Sequence, residues 1–145
     1  MSSRAPAEPR VTVHGRVRPL PDGVVRRVVD AVLTGERAGA AVSVTFLGRE
    51  AMRRLNAEYK GHDRPTDVIA FPLTTPDGGI VGDVYVCPWV ARREAAARSV
   101  PPRQELIRLV VHGTLHVLGW EHPEDDSRTR SPMWRRQERY VERLA

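Results

Sequence analysis

The sequence predicts one α/β domain, of the α+β kind, with about five helices packed on a small mixed sheet of four strands. Three observations predict it. Helical and strand periodicities alternate along the chain. The 145 residues, 41% of them hydrophobic, are enough for one buried core. A turn-rich stretch, TTPDGG, connects two apolar strands and indicates a hairpin, so part of the sheet is antiparallel.

The first half of the chain is predicted as strand, helix, strand and helix. Residues 11–17 (VTVHGRV) are the first strand, and Asp22 caps a helix of regularly spaced valines that ends near Gly35. Residues 41–48 alternate apolar and polar side chains, which is typical of a half-buried strand. Residues 49–59 are a helix whose apolar stripe consists of Met52, Leu55 and Tyr59.

The second half is predicted as the hairpin followed by three helices. Residues 67–73 and 79–87 are the two apolar strands of the hairpin. Residues 89–99 are a helix that two prolines end, and the second proline opens the next helix, residues 103–118. Residues 132–144 are the last helix, and its apolar stripe consists of Met133, Trp134, Tyr140, Val141 and Leu144.

Composition narrows the classes of function. We expect one domain over residues 1–145, with a flexible tail at 1–10 that lacks the apolar stretch of a secretory signal. No apolar run approaches the ~20 residues of a membrane span. A single cysteine, Cys87, excludes an intrachain disulfide and is typical of a cytoplasmic protein. A net charge of +5 permits a polyanionic partner such as nucleic acid, although solvated arginine-rich helix faces are the more ordinary explanation.

Residues 112–122, HGTLHVLGWEH, have the pattern of a metal site. His112 and His116 are four residues apart near the end of a helix, which places two imidazoles side by side. At Gly119 the helix can end in a left-handed residue, so the chain turns back and brings His122 to the same point. The alternative is that the histidines are ordinary core residues. That explanation suits an isolated pair of histidines better than three histidines with a glycine at the turn. We predict one Zn²⁺ held by the three histidines, with an open fourth position as in catalytic sites.

The spacing H-x-x-x-H-x-x-G-x-x-H is that of the metzincin peptidases, in which a glutamate follows the first histidine. That glutamate is the general base of the peptidase reaction. Here Gly113 occupies the position and cannot accept a proton. The sequence therefore predicts a zincin-like metal site at the end of a core helix, in a metal-dependent hydrolase that is not a peptidase.

Three stretches together resemble the YbeY family of bacterial metal-dependent endoribonucleases, also called rRNA maturation factors. They are LNAEYKGHDRPTDVIAFP (55–72), VGDVYVCP (81–88) and the histidine stretch, in the family's order and spacing. Lys60 stands where the family usually has arginine, Ala70 where serine is usual, and Glu121 where aspartate is common. The family's arginine is tied to activity, and a lysine keeps its charge but loses the bidentate fork for a phosphate.

The resemblance implies a cytoplasmic, single-strand-specific endoribonuclease that acts in 16S rRNA 3′-end maturation and in ribosome quality control. It implies the 16S rRNA 3′ region, small-subunit ribosomal proteins and assembly GTPases as partners, and it leaves the oligomeric state open.

The same resemblance suggests roles for a polar loop just before a strand. Lys60 is the implied catalytic residue, and His62 and Arg64 are candidates to hold phosphate or RNA against the metal. An ordinary solvated loop is the alternative for these cations. Three further residues are expected to organise the loop or to orient a metal ligand: Thr66, Asp67 and Glu121.

Two other classes of function remain open at this point. A metal-dependent hydrolase of another substrate would share the three histidines but would not need a basic groove. A ribosome-assembly factor with a mainly structural metal would have its fourth metal position closed by the protein.

Overall fold

The structure is a computed structural model and describes residues 10–145. Of the predicted tail, residues 1–9 lie outside the described residues. Arg10 belongs to the fold, because its carbonyl accepts a hydrogen bond from Val42 N (2.7 Å) and its guanidinium pairs with Asp30 (3.0 Å). No helix in the described part of the chain is long and apolar enough to cross a bilayer.

Four strands, five α-helices and one short 3₁₀ helix make up the described residues. In chain order they are β1 (Val11–His14), α1 (Asp22–Gly35), β2 (Ala40–Phe46), α2 (Arg49–Lys60), β3 (Val68–Thr74), β4 (Ile80–Val86), α3 (Pro88–Arg98), α4 (Pro102–Val117), the 3₁₀ helix (Asp126–Arg130) and α5 (Pro132–Leu144).

The strands form one mixed sheet in the order β1-β2-β4-β3. β1, β2 and β4 are parallel, whereas β3 runs antiparallel to β4, so the predicted hairpin and the predicted mixed sheet are confirmed. The register pairs Val44 with Val84 and Val84 with Ala70, which places small and branched side chains in a row across the sheet. Such a row presents an even apolar surface on which a helix can pack.

The two faces of the sheet are covered unequally. The main core lies on the face covered by α1 and α4, where valines of β2 and β4 meet fully buried side chains such as Val111 and Leu115. The other face carries a much smaller cluster centred on Met52 of α2, Ile69 and Cys87. Since side chains alternate along a strand, neighbouring residues of β3 and β4 serve different clusters.

α4 lies unusually close to β4 because glycine occupies two of the contact positions. A Cβ on Gly113 would lie 2.4 Å from Val84 Cγ1, and a Cβ on Gly82 would lie 2.4 Å from Val117 Cγ1. The helix and the strand therefore each place a valine against the other's glycine. This contact fixes the height of α4, and of the histidines it carries, above the sheet.

Most predicted elements agree with the structure to within one or two residues, and three details differ. β1 ends at His14, where its pairing with β2 stops. Pro21 rather than Asp22 is the N-cap of α1, and the Asp22 carboxylate instead accepts a hydrogen bond from Arg18 (2.8 Å). Tyr59 is 60% exposed, and Asn56 takes the buried position beside Met52.

Candidate metal centre

The three histidines of the HGTLHVLGWEH stretch converge in space. His112 and His116 lie on the last two turns of α4, and His122 approaches them from the loop that follows. The ring centroids are 4.6, 5.0 and 5.1 Å apart, and one nitrogen of each ring lies within 4.8 Å of the others. Within residues 10–145 no fourth histidine, cysteine or acidic group joins this cluster.

The turn after α4 brings His122 back toward the helix. Gly119 has a φ of +99°, a conformation that residues with a Cβ rarely adopt, and its N–H donates to His116 O (3.0 Å). Trp120 N donates to Leu115 O (3.0 Å), which folds the chain back over the last turn. The backbone conformation at the end of α4 therefore determines the direction from which the His122 ring approaches the other two rings.

A buried carboxylate holds the same turn from the side. Glu36, just past the end of α1, accepts hydrogen bonds from Trp120 Nε1 (3.0 Å), Arg136 Nε (2.9 Å) and the Tyr140 hydroxyl (2.5 Å). Burial by itself raises the pKa of Glu36, but these three donors outweigh it and the pKa lies below its ordinary value. An ionised Glu36 therefore ties α1, α5 and the turn together, two residues before His122.

Two of the rings have a hydrogen-bond partner outside the cluster. His112 Nδ1 lies 2.6 Å from Gln137 Oε1 on α5, and His122 Nδ1 lies 2.8 Å from the carbonyl of Pro123. Neither partner was expected from the sequence. The sequence does contain a sign of Gln137, which is a polar residue between Met133 and Tyr140 on the apolar stripe of α5. A buried amide needs a hydrogen-bond partner, so this position indicates a polar contact.

Burial keeps the two α4 imidazoles neutral. It lowers the pKa of His112 to about 4, with a smaller contribution from His122, and lowers the pKa of His116 to about 4, helped by its histidine neighbours and by Lys60. Neutral imidazole is the form that binds a metal. Three converging nitrogen donors without a thiolate suit one Zn²⁺ or a similar transition metal, so the residues present fit the predicted ion.

The histidines line a cleft of about 450 Å³ with two different walls. We call α4 from His112 onward, the turn to His122 and Gln137 the histidine wall, and residues 60–67 the loop wall. Every site residue singled out from the sequence lines this cleft: Lys60, His62, Arg64, Thr66, Asp67, His112, His116, Glu121 and His122.

The loop wall is exposed and lightly held. The side chains of Lys60, His62 and Arg64 form no hydrogen bond or salt bridge with any residue in the described range 10–145. The loop is anchored through Asn56, whose Nδ2 donates to the carbonyl of Arg64 (2.8 Å). The influence of Lys60 on the pKa of His116 indicates that its positive charge reaches the histidine wall.

Two of the remaining predicted site residues, Thr66 and Asp67, form hydrogen bonds that organise the loop. The Asp67 carboxylate accepts hydrogen bonds from Val68 N (2.7 Å) and from the Thr66 hydroxyl (3.4 Å). The Asp67 carbonyl accepts from Cys87 N (2.9 Å), which joins the loop to β4. Glu121 is exposed at the rim of the cleft.

A buried ion-pair network closes the end of the cleft next to Gln137. Arg108, only 7% exposed, donates to both carboxylate oxygens of Glu138 (2.8–3.2 Å) and to Glu105 (2.9 Å), and Arg98 pairs with Glu105 (3.2 Å). The network leaves no local pattern in the sequence, because its members come from three helices. Two tryptophans, Trp120 and Trp134, also line the cleft, whereas Trp89 lies between Arg49 and Arg93 in the other cluster.

Comparison with known proteins identifies the family. Residues 20–145 match the family model described as Endoribonuclease YbeY. An Endoribonuclease YbeY of Thermotoga maritima is 31% identical over 120 residues, 83% of this chain and 78% of that protein. One of Alkalilimnicola ehrlichii is 38% identical over 109 residues, 70% of this chain and 66% of that protein. The solution structure of TM1509 from Thermotoga maritima is similar with a TM-score of 0.66 and 28% identity, over 92% of this chain and 88% of that one. As its motifs predicted, the chain belongs to the endoribonuclease YbeY family.

Proposed function

We propose that this protein is a single-strand-specific, metal-dependent endoribonuclease that acts in 16S rRNA 3′-end maturation and in ribosome quality control in the cytoplasm. One observation carries the proposal: three histidine nitrogens converge in a cleft that is also lined by Lys60 and Arg64, two exposed cations without a side-chain partner in residues 10–145. The relatives named Endoribonuclease YbeY support the reaction type. Small-subunit ribosomal proteins and assembly GTPases belong to the proposal as partners.

In this proposal, the histidine wall holds one Zn²⁺ through His112, His116 and His122. When bound, the ion supplies Lewis acidity toward a phosphoryl oxygen and lowers the pKa of a coordinated water. Lys60, which lines the same cleft, neutralises charge that develops on the phosphoryl oxygens of the scissile group. His62 and Arg64 hold the flanking phosphates, since they are exposed on the same wall.

The size of the cleft supports single-strand specificity in this proposal. A volume of about 450 Å³ is that of a small-molecule pocket, which admits one or two unpaired nucleotides but not a duplex. Phosphate binding by the loop wall carries no sequence information, so an accessible unpaired stretch is the main requirement of the site.

The test is to measure zinc content and RNA cleavage together in wild type, His116→Ala and His14→Ala. His14 is an exposed histidine on β1, outside the cleft, and serves as the matched control. We expect one zinc per chain and cleavage of a single-stranded 16S rRNA 3′-end RNA in wild type and in His14→Ala. We expect neither in His116→Ala, and no cleavage of the same RNA annealed to its complement. Unchanged cleavage by His116→Ala, or equal cleavage of the duplex, would contradict the proposal.

Two observations weigh against the other classes of function. The histidine cluster has three ligands within residues 10–145 and faces the cleft, whereas a structural zinc site has four protein ligands. A peptidase would need its base at position 113, which faces Val84 of the sheet and has no room for a side chain. We therefore expect purified protein to leave casein uncleaved in an assay that includes zinc, and hydrolysis lost in His112→Ala would contradict this.

A further inference from the structure

Gln137 occupies an unusual place for a neutral polar residue. Its side chain is 1% exposed, on the face of α5 that packs against α4, and both ends of its amide are engaged. Oε1 lies 2.6 Å from His112 Nδ1, and Nε2 donates to Glu138 Oε2 (3.0 Å). A buried amide that only filled space would cost stability relative to an apolar residue of the same shape.

The hydrogen-bonding capacity of Glu138 determines which way the Gln137 amide faces. Glu138 is held by Arg108 through two of its guanidinium nitrogens, Nε and Nη2. The carboxylate, with a pKa that these hydrogen bonds lower against the effect of burial, is ionised and only accepts hydrogen bonds. The amide must therefore turn its NH₂ group toward Glu138, which leaves its carbonyl oxygen for His112.

An acceptor at 2.6 Å requires a proton on His112 Nδ1. A neutral imidazole has one N–H, so Nε2 then carries the free lone pair, and a metal ligand needs such a nitrogen. The carbonyl of Pro123 likewise accepts a hydrogen bond from Nδ1 of His122. That acceptor is a backbone atom, so it is present whatever side chains surround the turn. For His112, the tautomer depends on one side chain of another helix.

We infer that Gln137 is a positioning residue, which fixes the tautomer and the ring orientation of His112 so that Nε2 faces the metal position. The inference rests on the proposed metal site. Arg108 and Glu138 act through Gln137, so a hydrogen-bonded chain of four residues runs from His112 to the ion-pair network at the end of the cleft.

The test uses three variants of α5 and two measurements. Gln137→Met keeps the length of the side chain without an acceptor. Gln137→Glu keeps the acceptor for His112 and, held protonated by the ionised Glu138 beside it, also keeps a donor toward Glu138. Val141→Ala truncates another buried side chain of the same helix, 2% exposed, and is the matched control. The first measurement is zinc affinity by competition with a chelator. The second is the tautomer of His112 in metal-free protein at neutral pH, from ¹H–¹⁵N correlations of the ring.

We expect Gln137→Met to bind zinc about 10–100-fold more weakly, the usual effect of losing a partner of a metal-binding histidine. Gln137→Glu should bind at least as tightly as wild type, and Val141→Ala should bind equally. His112 should carry its proton on Nδ1 in wild type and in Gln137→Glu, and should shift toward the Nε2 tautomer in Gln137→Met.

Equal zinc affinity in wild type and Gln137→Met, or a proton on Nε2 of His112 in wild type, would overturn the inference. The wild-type tautomer decides the question even when a variant does not fold. Absence of zinc binding by wild type would overturn the proposed function instead. The two failures can be told apart because the tautomer of His112 is measured in metal-free protein.

Discussion

The two walls of the cleft are built in opposite ways. On the histidine wall, His112 and His122 have fixed hydrogen-bond partners, and the turn between them is held by the buried carboxylate of Glu36. On the loop wall, Lys60 and Arg64 are exposed and have no side-chain partner in the described part of the chain. The first wall is organised before any ligand arrives. The second presents exposed cations to the cleft.

This difference has a physical cause in the surroundings of each wall. α4 is buried along most of its length and can approach β4 closely through Gly113 and Gly82, so its side chains have few alternative positions. Unpaired cations would be costly there, but they cost little on an exposed loop. A metal-binding wall needs fixed geometry, whereas a phosphate-binding wall needs accessible charge. The following predictions test this division, beginning with the largest expected effect.

Lys60→Ala tests whether the loop wall acts on the substrate. Removing one group that stabilises developing charge costs about 10²–10³-fold in rate, so we expect RNA cleavage to fall by that amount with zinc affinity unchanged. Lys60→Arg should cleave as well as wild type or better, because a guanidinium grips two phosphate oxygens. Arg16→Ala, an exposed arginine outside the cleft, is the control. Equal initial rates for wild type and Lys60→Ala, with RNA below saturation, would make Lys60 an ordinary solvated residue.

Glu36→Gln tests how firmly the histidine wall is held. The amide keeps the size of the side chain but loses the charge that accepts from Trp120 and Arg136, and we expect the free energy of unfolding to fall by about 2 kcal/mol. Because folding lowers the pKa of Glu36 from 4.5, this contribution is full above pH 4.5 and is lost as the pH falls through the folded-state value. The difference between the two proteins in urea unfolding should therefore shrink in acid. Exposed Glu142→Gln should behave as wild type at every pH.

Gly113→Ala tests the close contact between α4 and the sheet. The new methyl group would lie 2.4 Å from Val84 Cγ1, and overpacking of this kind costs about 1–3 kcal/mol. The better helix propensity of alanine returns up to about 1 kcal/mol, so we expect a net loss of about 1–2 kcal/mol in thermal or urea unfolding. Gly23→Ala in α1 is the matched control, since nothing lies within 4 Å of its added Cβ, and it should not destabilise. A Gly113→Ala protein as stable as Gly23→Ala would contradict the contact.

Asn56→Ala tests the side-chain hydrogen bond that ties the loop wall to α2. It removes the hydrogen bond to the carbonyl of Arg64, worth about 1 kcal/mol, so we expect roughly a fivefold lower kcat/KM for RNA. Zinc affinity should not change, because Asn56 has no hydrogen bond with His112, His116 or His122. Glu58→Ala, an exposed residue of the same helix, should have no effect on either measurement. A loss of zinc affinity in Asn56→Ala would mean that the two walls are not independent.

The sequence alone determined the elements that depend on local pattern. Helix and strand periods located all nine α-helices and strands of residues 10–145, and the hairpin followed from its turn residues. The spacing from His112 to His122, with Gly119 at the turn, predicted the convergence of the rings because all of its parts lie within one helix end. The three motif stretches were also enough to identify the family.

Only the tertiary structure decided what comes from distant parts of the chain. Gln137 meets His112 across 25 residues of sequence, and Glu36 meets Trp120 across 84. The burial of Asn56 in place of the predicted Tyr59 also depends on the elements against which α2 packs. A periodic pattern gives the face of a helix that is buried but not the partner that buries it, since the partner is set by strand order and helix packing. The three clustered histidines could therefore be predicted from the sequence, and the groups that hold their rings in place could not.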